Sequence, residues 1–262
     1  MTSKQFEIFC TFRKELKSYC DDFNKNFASE LISLQKNASL KDTPPYEIEN
    51  PVVYNTALDE ITIESEIKKI VIGDNPGKNE QLSVNQKYLV GQAGKIAQGF
   101  FQKNPDFKTD FRKNVIILNK TPVHSAKTSH LKEILKLSSP LLKAKIEESI
   151  IFMAQKTADL HQKLAEEDIK QNKTPCELWL VGYSELKNKG IFLSYKDELK
   201  KNYYGENKKL SEFWKEVYIF QHFSMNRFSI DLNNFMKKNN FSDIVCATKE
   251  LGLIHKCEIF GE

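Results

Sequence analysis

Four short apolar runs, each stopped abruptly by polar residues, constrain this chain more than any other feature. They span residues 67–72, 115–118, 178–181 and 217–220. Runs of that length suit buried strands and are too short for helices. The first ends in Gly73-Asp74-Asn75-Pro76-Gly77. Two glycines and a proline neither extend a strand nor sit inside a helix, so a tight loop is expected there. The second run leads into Asn119-Lys120-Thr121-Pro122-Val123-His124, the third stops at Gly182, and the fourth at Gln221-His222. Helical patterns separate them. Gly91-Gln92-Ala93-Gly94 opens one, with Ile96, Ala97, Phe100 and Phe101 on one face; another covers 141–170, and a third carries Ile230, Leu232, Phe235 and Met236. Alternating strands and helices predict a three-layer α/β/α fold around a mostly parallel four-stranded sheet. The apolar stretch 251–260 reads as one more strand or an extended tail.

Residues 3–37 carry Phe6, Phe9, Leu16, Tyr19, Phe23, Phe27 and Leu31 mostly at three- and four-residue steps. That is a long amphipathic helix or a helix pair, and such a stripe is ordinarily a packed face. Residues 38–56, with Pro44-Pro45 and Asn50-Pro51, read as a connecting loop over the surface. The expected division is therefore an N-terminal helical extension, 1–56, packed on an α/β domain, 57–262. A chain of 262 residues, 40% hydrophobic, is long enough for one such domain. Its 39 basic and 35 acidic residues leave a mild positive balance, which permits nucleic-acid binding without arguing for it. No apolar run reaches membrane-span length and the N-terminus lacks an apolar signal segment, so a cytoplasmic monomer without membrane contact is expected. Cys10, Cys20, Cys176, Cys246 and Cys257 are scattered and odd in number, which suggests neither zinc nor a disulfide framework; most read as small buried hydrophobes.

Parallel strands open their carboxyl ends on one edge of the sheet, where ligands of open α/β sheets bind. That brings Asp74 and Asn75, Asn119, and His222 within reach of one pocket. Each has an ordinary reading alone, as turn residue, cap or satisfied histidine; their convergence is what favours a site. The glycine-rich start at 91–94 exposes free backbone N–H groups suited to an anion.

The same blocks resemble the uracil-DNA glycosylase superfamily. Gly73-Asp74-Asn75-Pro76-Gly77-Lys78-Asn79-Glu80 is similar to the thermophile-type pattern G-E-A-P-G-x-x-E, and Tyr88-Leu89-Val90-Gly91-Gln92-Ala93-Gly94 to P-F-V-G-R-A-G. The Asn75-Pro76-Gly77 core is closer to the G-x-N-P-G of the mismatch-specific and single-strand-selective branches. Residues 117–122 resemble the strand end where an asparagine reads the base. Leu178 to Gly182 resembles L-x-L-x-G, and His222-Phe223-Ser224 resembles the H-P-S motif that carries the catalytic histidine and strand-inserting loop. Four ordered blocks span about 67–228.

The resemblance implies a monofunctional glycosylase that hydrolyses the N-glycosidic bond of uracil or another deaminated base in DNA. The implied catalytic residues are Asn75, which holds a water, His222, which donates to the departing base, and Asp74, which accepts the water's proton. The base would be met by Asn119, Tyr88, Leu89 and Gly73. The DNA would be met by Gly91, Gln92, Gly94, Ser224, Met225, Asn226 and Arg227. Leu89 stands where thermophile-type members carry a stacking phenylalanine, and Tyr88 or another aromatic is the expected substitute. Phe223 replaces the usual proline, and Met225-Asn226-Arg227 occupies the wedge loop, where leucine is common. The iron–sulfur cysteines are missing, and no metal or cofactor is expected. Two other readings stay open: a non-catalytic member that binds DNA or a partner through the same cleft, and a different α/β enzyme for a nucleotide or phosphorylated metabolite. The absence of G-x-x-x-x-G-K-[ST] and G-x-G-x-x-G counts against the latter.

Overall fold

The structure, a computed structural model, describes residues 1–40, 43–205 and 209–262. Thr2 starts the first helix. Its hydroxyl accepts from the Gln5 N–H at 3.0 Å while the Gln5 side chain accepts from the Thr2 N–H, a reciprocal cap. The helix then runs unbroken as α1 (Ser3–Ser39). From its stripe Phe9, Leu16, Phe23 and Leu31 are fully buried, and Phe6, Tyr19 and Phe27 partly so, where the helix packs on α3 (Thr128–Leu137) and α4 (Pro140–Lys170).

The four strands are β1 (Lys69–Gly73), β2 (Val115–Asn119), β3 (Glu177–Val181) and β4 (Val217–Phe220). They form one parallel sheet in the order β2-β1-β3-β4. Every strand residue is buried, as expected of a parallel sheet covered on both faces. Alternate side chains divide between two cores. Ile70, Ile72, Ile116, Leu118, Leu178 and Leu180 join the core of α1, α3, α4 and α5 (Leu193–Lys201). Val71, Ile117, Trp179, Val181, Tyr218 and Phe220 join that of α2 (Gln92–Lys103), α6 (Arg227–Asn239) and α7 (Ile244–Phe260). The period of two in the strands thus generates the three layers.

Several expectations need correction. Residues 251–260 are neither strand nor tail but the second half of α7, capped by Asp243 and ended by Gly261 in the left-handed region. The buried face of α7 carries Ala247, Thr248, Leu251, Gly252, His255, Lys256 and Ile259, while Leu253 and Ile254 are exposed. Burial is periodic there but hydrophobicity is not. Gly252 is required by close approach: a Cβ would stand 2.7 Å from the Phe220 ring. Helices α3 and α5 fill connections that showed no strong pattern. The 38–56 loop, two residues of which lie outside the described ones, is not superficial throughout. Val52, Val53 and Asn55 are buried, Val53 N–H donates to Pro122 O, and Asn55 Nδ2 donates to Ile117 O, because this segment closes the side of β2. Of the cysteines only Cys20 and Cys176 are buried; Cys246 and Cys257 lie on exposed turns of α7.

Candidate active site at the carboxyl edge of the sheet

The loops after the strands enclose an open cavity of about 630 Å³. Asp74, Asn75, Asn119 and His222 all line it. They come from the ends of β1, β2 and β4, and the register pairs Gly73 with Asn119 directly.

Asn119 is buried, and its Nδ2 has no hydrogen-bond partner among the described residues. Its carboxamide lies over Gly73, where a Cβ would meet Asn119 Oδ1 at 2.4 Å. Gly73 therefore serves as bare floor beneath the asparagine. An unpaired buried donor costs about 1–3 kcal/mol, which a ligand acceptor would recover.

Asn75 is held from the other side. Its Nδ2 donates to Ser125 O at 3.0 Å and Ser125 Oγ at 2.9 Å. Its Oδ1 has one long contact, from Thr128 Oγ1 at 3.5 Å. The loop itself is braced by His124, whose Nδ1 donates to Pro76 O at 2.8 Å while its Nε2 accepts from the Tyr46 hydroxyl at 2.9 Å. Burial pushes the His124 pKa down to about 4, so the ring is neutral and keeps these roles. Gln35 of α1 donates to His124 O and Pro51 O, which ties the long N-terminal helix to this loop.

His222 is half-buried. Its Nδ1 accepts from the Ser224 N–H at 3.0 Å and lies 2.8 Å from Ser224 Oγ. A neutral ring so held carries its proton on Nε2. Burial lowers its pKa, the Asp74 charge works against that, and the Lys120 charge reinforces it.

Asp74 is tied to a residue the sequence did not mark. Lys120, with no solvent exposure, donates to Asp74 Oδ1 and to Val181 O, both at 2.6 Å. It links the ends of β2, β1 and β3. Gly182 makes room for the carboxylate: its φ is +100°, and a Cβ would stand 2.3 Å from Asp74 Oδ1. The signal was present as a cation and an anion on neighbouring strand ends. Glu80 was also missed as a site residue. It is buried in the cavity wall, and burial pushes its pKa up to about 7, against the pull of the Gly77 and Leu89 N–H groups and Arg112.

No family model matches the chain, and no curated protein matches it.

The remaining candidates divide. Leu89, Gly91, Gln92, Ser224, Met225 and Arg227 line the cavity. Met225 and Asn226 both have left-handed backbone, and the Met225 side chain is 70% exposed. Phe223 is buried against Phe111 and Phe228 and anchors this loop in the core. Three residues stand apart: Asn226 lines the neighbouring cleft instead, and Tyr88 and Gly94 face the core. Tyr88, expected as the stacking aromatic, is buried in the core with its hydroxyl donating to Val53 O. Leu89, whose backbone is left-handed, is buried in the same core but also lines the cavity. Gly94 does not line the cavity but packs under the Leu89 carbonyl, where a Cβ would stand 1.3 Å away. Among the described residues no cluster of three or more His, Cys, Asp or Glu could hold a metal ion, and no helix is long and apolar enough to cross a membrane.

Proposed function

We propose that the chain is a monofunctional glycosylase of the uracil-DNA glycosylase superfamily, acting on uracil or another deaminated base in DNA. The observation that carries the reading is the unpaired Asn119 Nδ2, buried in the wall of a polar cavity shared with Asn75 and His222. A base turned out of the stack offers the missing acceptor. Asn119 donates to O4 of uracil and accepts from N3–H; cytosine reverses that pattern.

The C1′–N1 bond breaks with its electron pair leaving on the base. His222 Nε2–H stabilises the charge growing on the base oxygen. Asn75, its amide hydrogens committed to Ser125, presents Oδ1 to the water that adds to C1′. Asp74, ion-paired with Lys120, acts as a fixed negative charge toward the cationic sugar. Glu80, with a pKa near neutrality, is better matched to take the water's proton. Met225 is the exposed apolar side chain suited to fill the vacated stack.

One observation favours a non-catalytic binding module instead. No phenylalanine, tyrosine or tryptophan is among the described residues lining the cavity, so an aromatic stacking partner is lacking. An oligonucleotide panel with uracil, hypoxanthine, xanthine and thymine mismatches separates the two readings. Free base released from at least one member supports the glycosylase; binding without release supports the module.

A further inference from the structure

A second cleft adjoins the site cavity. Gln92 lines both, and Asn226 carries the loop of Met225 and Arg227 into the second, a space of about 510 Å³ between α2 and α6. Two independent features distinguish this cleft. The first is charge. Among the described residues lining it, the charged ones are Lys95 and Lys103 and none is acidic. Four other sizeable cavities, the site included, have carboxylates in their walls.

The second is Gly99. It sits inside α2, four residues from each lysine, so the three share one face over about 12 Å. A Cβ on Gly99 would meet nothing within 4 Å. A glycine in mid-helix costs about 1 kcal/mol relative to alanine, and no packing demands it here. Bare backbone between two cations allows close approach by a bulky anionic chain.

We propose that the α2–α6 cleft is the track for the sugar–phosphate backbone of the DNA strand carrying the target nucleotide. Its phosphates meet Lys95 and Lys103, and the strand passes over Gly99. The inference rests on the glycosylase reading for the identity of the strand. The phosphate contacts hold the strand in register without reading its sequence.

The test compares the full chain with Lys95→Gln, Lys103→Gln and Gly99→Leu on two probes, a long single-stranded oligonucleotide with one uracil and a uracil-centred trinucleotide. The lysine variants should bind the long probe severalfold more weakly. Together they should flatten the slope of log K against log salt by about 1.4, the share of two phosphates on a single strand. Gly99→Leu should melt no lower than wild type yet lose affinity for the long probe. Base release from the trinucleotide should be unchanged in all three. Equal affinity and equal salt slope for wild type and lysine variants overturns the track, as does a wild type that binds no oligonucleotide. If wild type releases no base but the variants still lose affinity, the glycosylase reading fails and the cleft stands as a nucleic-acid track. If Gly99→Leu does not fold, the lysine variants decide.

Discussion

Lys120 Nζ lies 2.6 Å from Asp74 Oδ1, and the lysine side chain has no exposure to solvent. The pair joins two adjacent strand ends beneath the candidate site. Removing the cation leaves a mostly buried carboxylate without its partner, a change that typically costs about 3–5 kcal/mol. Lys120→Met should therefore lower the urea midpoint strongly, and adding Asp74→Asn should recover part of the loss. A single variant with a wild-type midpoint would show that the pair does not hold this edge together.

Gly182 is predicted to be intolerant of any side chain. Its left-handed backbone disfavours an L-residue by about 1–2 kcal/mol, and a Cβ would collide with Asp74. Gly182→Ala should lower the melting temperature and slow base release together. A variant that melts and reacts like wild type refutes the close packing.

Glu80 gives a pH dependence of definite sign. Its pKa rises from the usual 4.5 to about 7 on burial. Between those values the folded chain holds a proton that the unfolded chain has lost, so this group's stability contribution falls as pH rises from 4.5 to 7 and then levels. The full effect is about 3 kcal/mol at most. Glu80→Gln removes it, so the melting temperature of the variant minus that of wild type should grow from pH 5 to pH 8. Base release should show the opposite trend in wild type, rising through about pH 7 as the carboxylate forms, and Glu80→Gln should abolish that limb. A constant melting difference across the range would mean the carboxyl ionises normally.

Asn75, His222 and Asn119 should separate by role. Asn75→Ala should slow base release while leaving abasic-DNA binding nearly intact. His222→Ala should slow it by roughly 10²–10³-fold, the value of one donor aimed at developing charge. Asn119→Asp keeps an acceptor for N3–H but loses the donor to O4, so discrimination for uracil should weaken. Single-turnover rates and competition between uracil and cytosine substrates measure these effects. If the Asn75 and His222 variants react as fast as wild type, the site lies elsewhere.

The sequence by itself determined the strands and the edge on which their ends meet. An apolar run of strand length, cut off by glycine, proline or asparagine, is a local signal, and parallel direction then follows from the intervening helices. That is why the sequence alone places Asn75, Asn119 and His222 at one edge, where they line one cavity. Tertiary structure alone decided what each side chain touches. Tyr88 and Leu89 are neighbours in sequence and both are buried in the same core, yet only Leu89, at a left-handed turn, also reaches the cavity wall. Lys120 reads as one more loop lysine until β1 and β2 pair and bring Asp74 to it. Helix α7 was hidden because only Leu251 and Ile259 are large apolar residues on its buried face; the rest is small or polar, and Gly252 fits against Phe220 and Tyr218 by shape rather than hydrophobicity. Periodicity records which face of an element is apolar; it carries no record of which partner that face, or a strand end, will meet.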